Sequence, residues 1–296
     1  MSFLAWLPTL LMICLALLMF GLGLSLTVAD FARLKSHPKA VLIALVLQII
    51  VLPLVCYALI IAFGIAPIVA VGLMLLAASP GGVSANLFSH LFGGNVAMNI
   101  SLTAINTVLS IATLPLIANW AIATFAKTGQ VVPIQFTKVI EVTALVLIPV
   151  MIGMITRSRA PRFAARMDNP MKIFSALLLF ALAVLSIAKE WRLLTESFAQ
   201  IGLAVIAFNL ISLLAGYYVS RASGLDKSIS TAIGFEIGIH NSALAMFIAL
   251  NVLNNVQLAL PAGIYSVSML VTATLFGFFV LRRRESPPLA AAIAAK

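Results

Sequence analysis

The chain has 296 residues, of which 63% are apolar and only 9% charged, and its mean hydropathy is +1.17. Soluble domains carry about 25% charged residues, so this composition excludes an ordinary soluble protein and indicates one that crosses a lipid bilayer several times. The formal charge of +10 does not indicate a nucleic-acid partner, because the basic residues are spread over short loops between apolar segments, where they orient membrane proteins.

The apolar segments predict nine transmembrane helices, since each span needs about 20 residues. The expected spans are Leu4–Leu26, Ala40–Phe63, a third from Pro67, Asn95–Thr124, Val139–Ile155, Ile173–Lys189, Ile201–Tyr218, Ile229–Leu250 and Ala259–Leu281. We therefore predict an all-α polytopic membrane protein. Its first repeat would comprise residues 1–126 with four spans, its second residues 138–281 with five spans, and residues 282–296 would form a cytoplasmic tail.

The basic residues predict how these spans are oriented. If the N-terminus lies outside, four basic residues fall outside and the other fourteen of the 18 fall inside, which is the positive-inside bias of membrane proteins. The four outside are Lys127, Lys138, Lys189 and Arg192. We expect a bacterial inner-membrane protein with its N-terminus outside and its C-terminus in the cytoplasm.

Two of the spans contain signals that interrupt a helix. In the third span, Pro80 lacks a backbone donor and clashes with the preceding turn, so the helix should break there. In the eighth span, Gly234 and Gly238 bracket Glu236 and weaken the helix around it. Paired interrupted spans in two halves are typical of inverted-repeat transporters, whose binding site lies near the membrane midplane. We predict broken helices at residues 80–86 and 234–242.

Glu236 is the only acidic residue deep inside an apolar segment. A carboxylate near the bilayer centre costs roughly 2.5–3.5 kcal/mol on insertion scales, so it is usually kept for a function. His240 follows at i+4 and would share one face of a continuous helix with Glu236. We expect a cation here, and Na⁺, as a hard cation, prefers oxygen ligands. A structural pair remains an alternative, and zinc is disfavoured because a third ligand is missing at ligand spacing.

Small polar residues on the neighbouring spans are further candidates for the site. On the fourth span they recur at helical spacing and so form one polar stripe. Two interpretations are open. These residues bind a cation, or they make the hydrogen bonds between helices that small polar residues commonly supply in membranes. The candidates are Gln48 on the second span, Ser84, Asn86 and His90 on the third, and Asn99, Thr103, Asn106 and Ser110 on the fourth.

The two breaks also create helix N-termini inside the membrane. Exposed N–H groups and the positive end of the helix dipole favour an anion there, so we expect an organic carboxylate as substrate. The groups expected to face it are Gly82, Val83, Ser84, Asn241 and Ser242. The motifs of hydrolases, zinc proteases and nucleotide-binding enzymes are absent from the sequence, which disfavours an enzyme. A single central carboxylate without a symmetric ring disfavours an ion channel.

Taken together, these motifs resemble the bile acid:sodium symporter family over nearly the whole chain. The matching stretches are Phe20–Leu26, Gln48–Pro53, Pro80–Asn86, Gly94–Ala97 and Glu236–Leu244. The resemblance implies a core domain, in which the two broken helices cross, and a panel domain beside it. It also implies Na⁺-coupled uptake of an organic anion by alternating access, the anion being bile acid-like or a small carboxylate such as pantoate or a keto acid. We expect a monomer.

The resemblance further implies two Na⁺ sites. The first would use Asn86, Asn99, Thr103 and Glu236. The second would use Gln48, Glu236, His240 and the backbone oxygens of Ile237 and Ile239.

This chain departs from the family pattern at several of these positions. Asn99 stands where a serine is usual, Ala85 replaces the serine before Asn86, and Val83 replaces a threonine that contacts substrate. His240 replaces a glutamine, and an imidazole nitrogen is a poor Na⁺ ligand. The second site is therefore expected to be weakened, lost or replaced by proton coupling. A proton-coupled transporter or an efflux permease on the same scaffold remains an alternative.

Overall fold

The computed structural model describes residues 3–126, 136–167, 170–171, 173–174, 177 and 191–281. Within these residues every regular element is helical. The helices are α1 Phe3–Ser25, α2 Val28–Arg33, α3 Pro38–Phe63, α4 Pro67–Ala78, α5 Val83–Leu91, α6 Val96–Phe125, α7 Phe136–Arg159, α8 Trp191–Ala222, α9 Lys227–Gly238, α10 Ser242–Val252 and α11 Val256–Leu281. Residues 161–167 are also helical.

Within the described residues, four helices are long and apolar enough to cross a membrane, namely Pro38–Phe63, Val96–Phe125, Ile201–Ala222 and Val256–Leu281. A fifth results if Met12–Ser25 and Val28–Ser36 form one span bent by 72°. An all-helical membrane protein is thereby confirmed for the described residues. The total of nine spans and the repeat boundaries stay predictions. Most of the expected sixth span and the whole tail from residue 282 lie outside the described residues.

The residues after the first span form a short helix, α2. The Thr27 backbone N–H and its hydroxyl each donate to the Asp30 carboxylate at 2.8 Å, which fixes the beginning of α2 in the manner of a capping box. Helix α8 begins at Trp191, ten residues before the expected span. In α8, hydropathy therefore predicts only the apolar part of the helix, whereas α2 is a separate short helix after α1.

A widened turn places Gln48 in the interior of α3. Residues Leu47–Val51 form a π-helical turn in which the Leu52 N–H donates to the Leu47 carbonyl. The cause is Pro53, which lacks the N–H that would continue the α-helical pattern. Gln48 is buried in this turn, so the same proline that distorts the helix also directs an amide toward the centre of the protein.

The two interruptions lie against each other. Helix α4 ends at Ala78 and α5 begins at Val83, while α9 ends at Gly238 and α10 begins at Ser242. The Gly82 N–H donates to the Ile239 carbonyl at 2.5 Å, and the Asn241 N–H donates to the Pro80 carbonyl at 2.8 Å. An antiparallel bridge thus joins the two extended segments. The breaks cover residues 79–82 and 239–241 and are shorter than the predicted ranges 80–86 and 234–242, because residues 83–86, 234–238 and 242 are helical.

The role expected for Gly234 needs correction. Helix α9 continues through Gly234 without a break and ends only after Gly238. A Cβ at Gly234 would lie 3.3 Å from the Leu213 carbonyl oxygen and from the Tyr217 Cβ atom. Gly234 therefore permits α9 to approach α8 closely, as small residues do between membrane helices.

Candidate functional site

The Glu236 carboxylate lies where three parts of the fold meet. Its side chain is completely buried on the last turn of α9. The Thr103 hydroxyl donates to Oε2 at 2.5 Å, and the Asn106 Nδ2 donates to Oε1 at 3.0 Å. Gly81, in the other break, lies so close that a Cβ there would collide with both carboxylate oxygens. Helices α6 and α9 and the break before α5 therefore surround this one group.

In the part of the chain that the structure describes, Glu236 makes no ion pair. Its two donors are the neutral side chains of Thr103 and Asn106. An isolated buried carboxylate is costly unless a positive charge compensates it. If this carboxylate is ionised, a bound monovalent cation would neutralise its charge.

Asn99, one helical turn before Thr103 on α6, has a buried side-chain oxygen. Its Nδ2 donates to the Ala85 carbonyl at 3.0 Å and to the Ser89 hydroxyl. Because the carbonyl can only accept, these contacts determine which end of the amide is nitrogen. The Asn99 Oδ1 is left buried without a hydrogen-bond partner, and both polar atoms of the Asn86 side chain are in the same state.

Asn106 repeats this arrangement. Its Nδ2 is engaged by Glu236, so its Oδ1 also remains buried without a hydrogen-bond partner. More than about 90% of buried polar groups in proteins are hydrogen-bonded, so three unpaired amide oxygens on α5 and α6 are unusual. Carboxylate, amide and hydroxyl oxygens are the ligands that hard cations take. The residues present therefore fit Na⁺.

A second polar cluster forms around the Ser79 carbonyl, at the end of α4. The Gln48 Nε2 donates to it at 2.9 Å, and the His240 Nδ1 lies 3.2 Å from it. The Gln48 Oε1 and the His240 Nε2 are both buried without a partner. The structure thus brings Gln48 and His240 together, as the second predicted site requires.

His240 does not pair with Glu236. Because α9 ends at Gly238, His240 lies in the extended break, and the i+4 relation of a continuous helix is not realised. The structure shows no hydrogen bond or ion pair between the two side chains among the contacts of the described residues. The imidazole instead stacks on Phe208, with ring centres 5.3 Å apart, and meets the edge of Tyr265. The alternative of a structural Glu–His pair is therefore wrong.

The groups expected to face an anion are partly engaged within the protein. The Gly82 N–H donates to the Ile239 carbonyl, and the Asn241 Oδ1 accepts from the Leu244 N–H at 3.0 Å as the N-cap of α10. Ser242 is buried and Ser84 is half-buried. The side chain of Val83 lies outside what the structure describes.

Other predicted residues take different positions. Ile237 and Ile239 are completely buried, and Ser110 is buried on the same stripe as Thr103. His90 is exposed at the end of α5 and does not belong to the site. Among the described residues no three His, Cys, Asp or Glu side chains come together as a metal cluster.

Sequence reasoning missed the polar residues that lie behind the break in α9. Asn209 and Tyr265 both donate to the Gly238 carbonyl, at 2.6 and 2.8 Å. The available signal was an asparagine in the middle of the apolar span of α8 and a tyrosine far from either end of α11. Neither position reveals from the sequence alone which carbonyl it would reach.

Comparison with known proteins identifies the family. A model of the sodium bile acid symporter family matches residues 12–197. The chain belongs to this family.

Among its relatives is the probable sodium/metabolite cotransporter BASS2, chloroplastic, of Oryza sativa subsp. japonica, which is 27% identical over 94% of this chain and 65% of its own length. The uncharacterized sodium-dependent transporter YocS of Bacillus subtilis is 29% identical over 90% of this chain and 81% of its own. The human ileal sodium/bile acid cotransporter is 26% identical over 94% of this chain and 80% of its own.

Membership of the sodium bile acid symporter family confirms the resemblance drawn from the sequence motifs. The chain spans slightly less than two thirds of the length of the rice relative. The three relatives are named as a transporter or cotransporters, and none of these names is that of an enzyme. Their names differ in what is carried, which is a metabolite in one and a bile acid in another.

Proposed function

We propose that this protein is a sodium-coupled secondary transporter that imports an organic anion by alternating access. The observation that carries the proposal is the completely buried Glu236 carboxylate, which two neutral donors hold, one of them Asn106 with its own amide oxygen unpaired among the described residues. Membership of a sodium symporter family supports Na⁺ as the cation.

The first Na⁺ would be held by Glu236, Thr103, Asn99 and Asn86. These residues belong to three helices, α9, α6 and α5, whose positions one bound ion would couple. A ligand shifts a conformational equilibrium only by its difference in affinity for the two states. Na⁺ would therefore favour the arrangement in which the two breaks lie together, and this arrangement would be the one that accepts substrate.

A second Na⁺ would use Gln48 and Glu236 with the backbone oxygens of Ile237 and Ile239. The Gln48 Oε1 is buried and unpaired, as a ligand would be. The Ile239 carbonyl already accepts from Gly82, but a carbonyl has a second lone pair. His240 adds a nitrogen where an oxygen would serve Na⁺ better, so we expect this site to be the weaker.

The organic anion would bind at the N-termini that the breaks create. Helix α5 begins after Gly82, which has no side chain to cap it, so N–H groups of its first turn are available to an anion. On α10, the side chains of Asn241 and Ser242 would add contacts. Bile acid-like anions and small carboxylates such as pantoate or a keto acid share the carboxylate that this position would recognise.

Transport would proceed by movement of a core against a panel in a bacterial inner membrane. Helices α1 and α7 would belong to the panel, and the two broken helices to the core. In support, α1 and α7 approach closely at two glycines: a Cβ at Gly23 would lie 2.9 Å from the Val150 Cα, and one at Gly153 would lie 2.8 Å from the Gly23 Cα. Such a pair can move as one body while the site changes sides.

The test is the thermal stability of the purified protein in Na⁺ and in K⁺ at equal ionic strength. A ligand that binds only the folded protein adds about 2.7 kcal/mol of stability at one hundred times its dissociation constant. We expect Na⁺ to raise the Tm of the wild type above its value in K⁺ and to lose this effect in Glu236→Ala. Equal Tm values for the wild type in both salts would contradict sodium coupling.

His240 supports a second candidate, proton-coupled transport on the same scaffold. The unpaired Nε2 of this buried imidazole has the chemistry to take up a proton. Uptake driven by a pH gradient without Na⁺, present in the wild type and lost in His240→Gln, would favour this candidate. If Na⁺ alone drives uptake, His240→Gln should instead strengthen Na⁺ binding, because an amide oxygen replaces a nitrogen.

A further inference from the structure

Three residues behind the break in α9 form a closed hydrogen-bond network, and none of the three is itself a predicted Na⁺ ligand. We propose that this network, which consists of Asn209, Tyr265 and Thr272 and is called here the Gly238 clamp, positions the end of α9 and so sets the affinity for the cation. The inference rests on the proposed function, because it assigns the residues that orient the sodium ligands.

The clamp acts on a single backbone carbonyl. Gly238 is the last residue of α9, and the carbonyls of a last helical turn lack partners within their own helix. The Asn209 Nδ2 donates to the Gly238 oxygen at 2.6 Å and the Tyr265 hydroxyl donates to it at 2.8 Å. Two donors from different helices, α8 and α11, therefore fix where α9 ends.

The members of the clamp also orient one another. The second hydrogen of the Asn209 amide points to the Tyr265 hydroxyl at 2.6 Å, and the Thr272 hydroxyl donates to the Asn209 Oδ1. Asn209 and Tyr265 are completely buried, and Thr272 nearly so. Both ends of the Asn209 amide are satisfied, in contrast to the amides near Glu236, which each leave an oxygen unpaired. This difference indicates positioning residues rather than ligands.

The end of α9 matters because of what lies within two residues of it. Glu236 precedes Gly238 on the same turn, and His240 follows it in the break. Tyr265 and Phe208, the neighbour of Asn209, also enclose the His240 ring. If the Gly238 carbonyl moves, the carboxylate and the break must move with it. Partners that orient metal ligands from behind typically contribute 10- to 100-fold to metal affinity.

The experiment titrates the thermal stability of the purified full-length protein with NaCl, at constant ionic strength maintained with KCl. The variants are Tyr265→Phe, which removes one donor to Gly238 but keeps the ring, and Thr272→Val, which frees the Asn209 amide to rotate. We expect both to raise the apparent Kd for Na⁺ by about tenfold, the lower end of the effect of such partners.

Two control variants remove buried hydroxyls beside the clamp that do not contact it. Ser212 on α8 donates only to the Phe208 carbonyl of its own helix, and Ser266 on α11 donates to the Gly263 carbonyl. Ser212→Ala and Ser266→Ala should keep the wild-type Kd for Na⁺. The stability measured in KCl alone reports structural damage separately, so a purely structural role would lower this value without changing the Kd.

The outcomes separate the two proposals. A raised Kd in Tyr265→Phe and Thr272→Val beside unchanged controls supports the clamp. An unchanged Kd in both clamp variants, with a wild type that responds to Na⁺, overturns the clamp and leaves the proposed function standing. A wild type without any response specific to Na⁺ overturns the proposed function, and the role of the clamp in cation binding falls with it.

Discussion

At the scale of single residues, the site depends on which partners the amide and hydroxyl groups of α6 use for their hydrogen bonds. Thr103 donates to Glu236 and lies one helical turn from Asn99 on the same stripe of α6. Asn99 and Asn106 each use their side-chain nitrogen on a protein acceptor and leave their oxygen unpaired among the described residues. This common pattern produces a group of oxygens without donors, which is what a desolvated cation needs.

Replacing Thr103 by valine tests the role of this hydroxyl. Valine has nearly the same shape but cannot donate to the Glu236 carboxylate. A hydrogen bond to a charged group contributes about 1.5–3 kcal/mol, so we expect Thr103→Val to weaken Na⁺ binding by roughly tenfold or more. The measurement is a Na⁺ titration of thermal stability, with K⁺ replacing Na⁺.

The matched control lies one turn further along the same helix. Thr107 is also buried, but its hydroxyl donates to the Thr103 carbonyl of its own helix. Thr107→Val should therefore retain the affinity of the wild type for Na⁺. Equal losses in the two variants would mean that valine disturbs α6 in general, and that the contact between Thr103 and Glu236 has no special role.

At the scale of elements, the two breaks act as one unit. Two backbone segments meet at this point: Gly81 lies against the Glu236 carboxylate, and the Gly82 N–H donates to the Ile239 carbonyl. Extended backbone inside a membrane is tolerated only where its polar groups are satisfied within the protein. The bridge between the breaks satisfies several of these groups, so each break depends on the other.

Adding one methyl group to this contact should separate the breaks. In Gly81→Ala the Cβ would collide with both oxygens of Glu236, and overpacking typically costs about 1–3 kcal/mol. We expect a lower Tm in K⁺ and the loss of the additional stabilisation by Na⁺. If the Gly81→Ala protein responds to Na⁺ like the wild type, the Glu236 carboxylate can move without any loss of Na⁺ binding, and the prediction is wrong.

Gly202 on α8 is the matched control for this substitution. A Cβ at Gly202 would lie 3.5 Å from the Phe198 ring, which is an ordinary contact. Alanine is favoured over glycine in a helix by up to about 1 kcal/mol. Gly202→Ala should therefore keep or slightly raise the Tm, and its response to Na⁺ should be unchanged.

The elements show which features can be predicted from sequence and which cannot. Hydropathy predicts the apolar spans to within a few residues at most ends, and a proline or a polar residue inside a span is visible directly, as with Pro80 and Glu236. The end of α9 at Gly238, rather than at Gly234, depends on contacts with α8 and α11. No local signal in the sequence distinguishes these two glycines, because both have the same low helix propensity relative to alanine.

The residues of the site also divide into those that can be predicted from the sequence and those that cannot. Gln48, Asn99, Thr103 and Glu236 stand out because a polar residue in an apolar segment is costly, and the structure places Thr103 and Glu236 in contact. Asn209 and Tyr265 are equally polar and buried, but their partner is a backbone carbonyl on another helix. Sequence shows neither that carbonyl nor the distance to it. The assignment of individual Na⁺ ligands stays a prediction.

At the scale of the whole molecule, α7 offers a direct test of orientation. Helix α7 covers Phe136–Arg159 and contains the predicted span Val139–Ile155; its 24 residues extend about 36 Å at 1.5 Å per residue, a length that matches the hydrocarbon core. Lys138 is exposed at one end and Arg159 at the other. The basic residues beyond Arg159 predict that this end lies in the cytoplasm.

Cysteines introduced at the two ends of α7 should react from opposite sides of the membrane. In intact cells, a charged thiol reagent that cannot cross the membrane should label Lys138→Cys, and it should label Arg159→Cys only after the cells are made permeable. The native Cys14 and Cys56 are buried, so an unsubstituted protein should give little background. Labelling of Arg159→Cys but not Lys138→Cys in intact cells would reverse the orientation. The positive-inside bias would then fail for this chain.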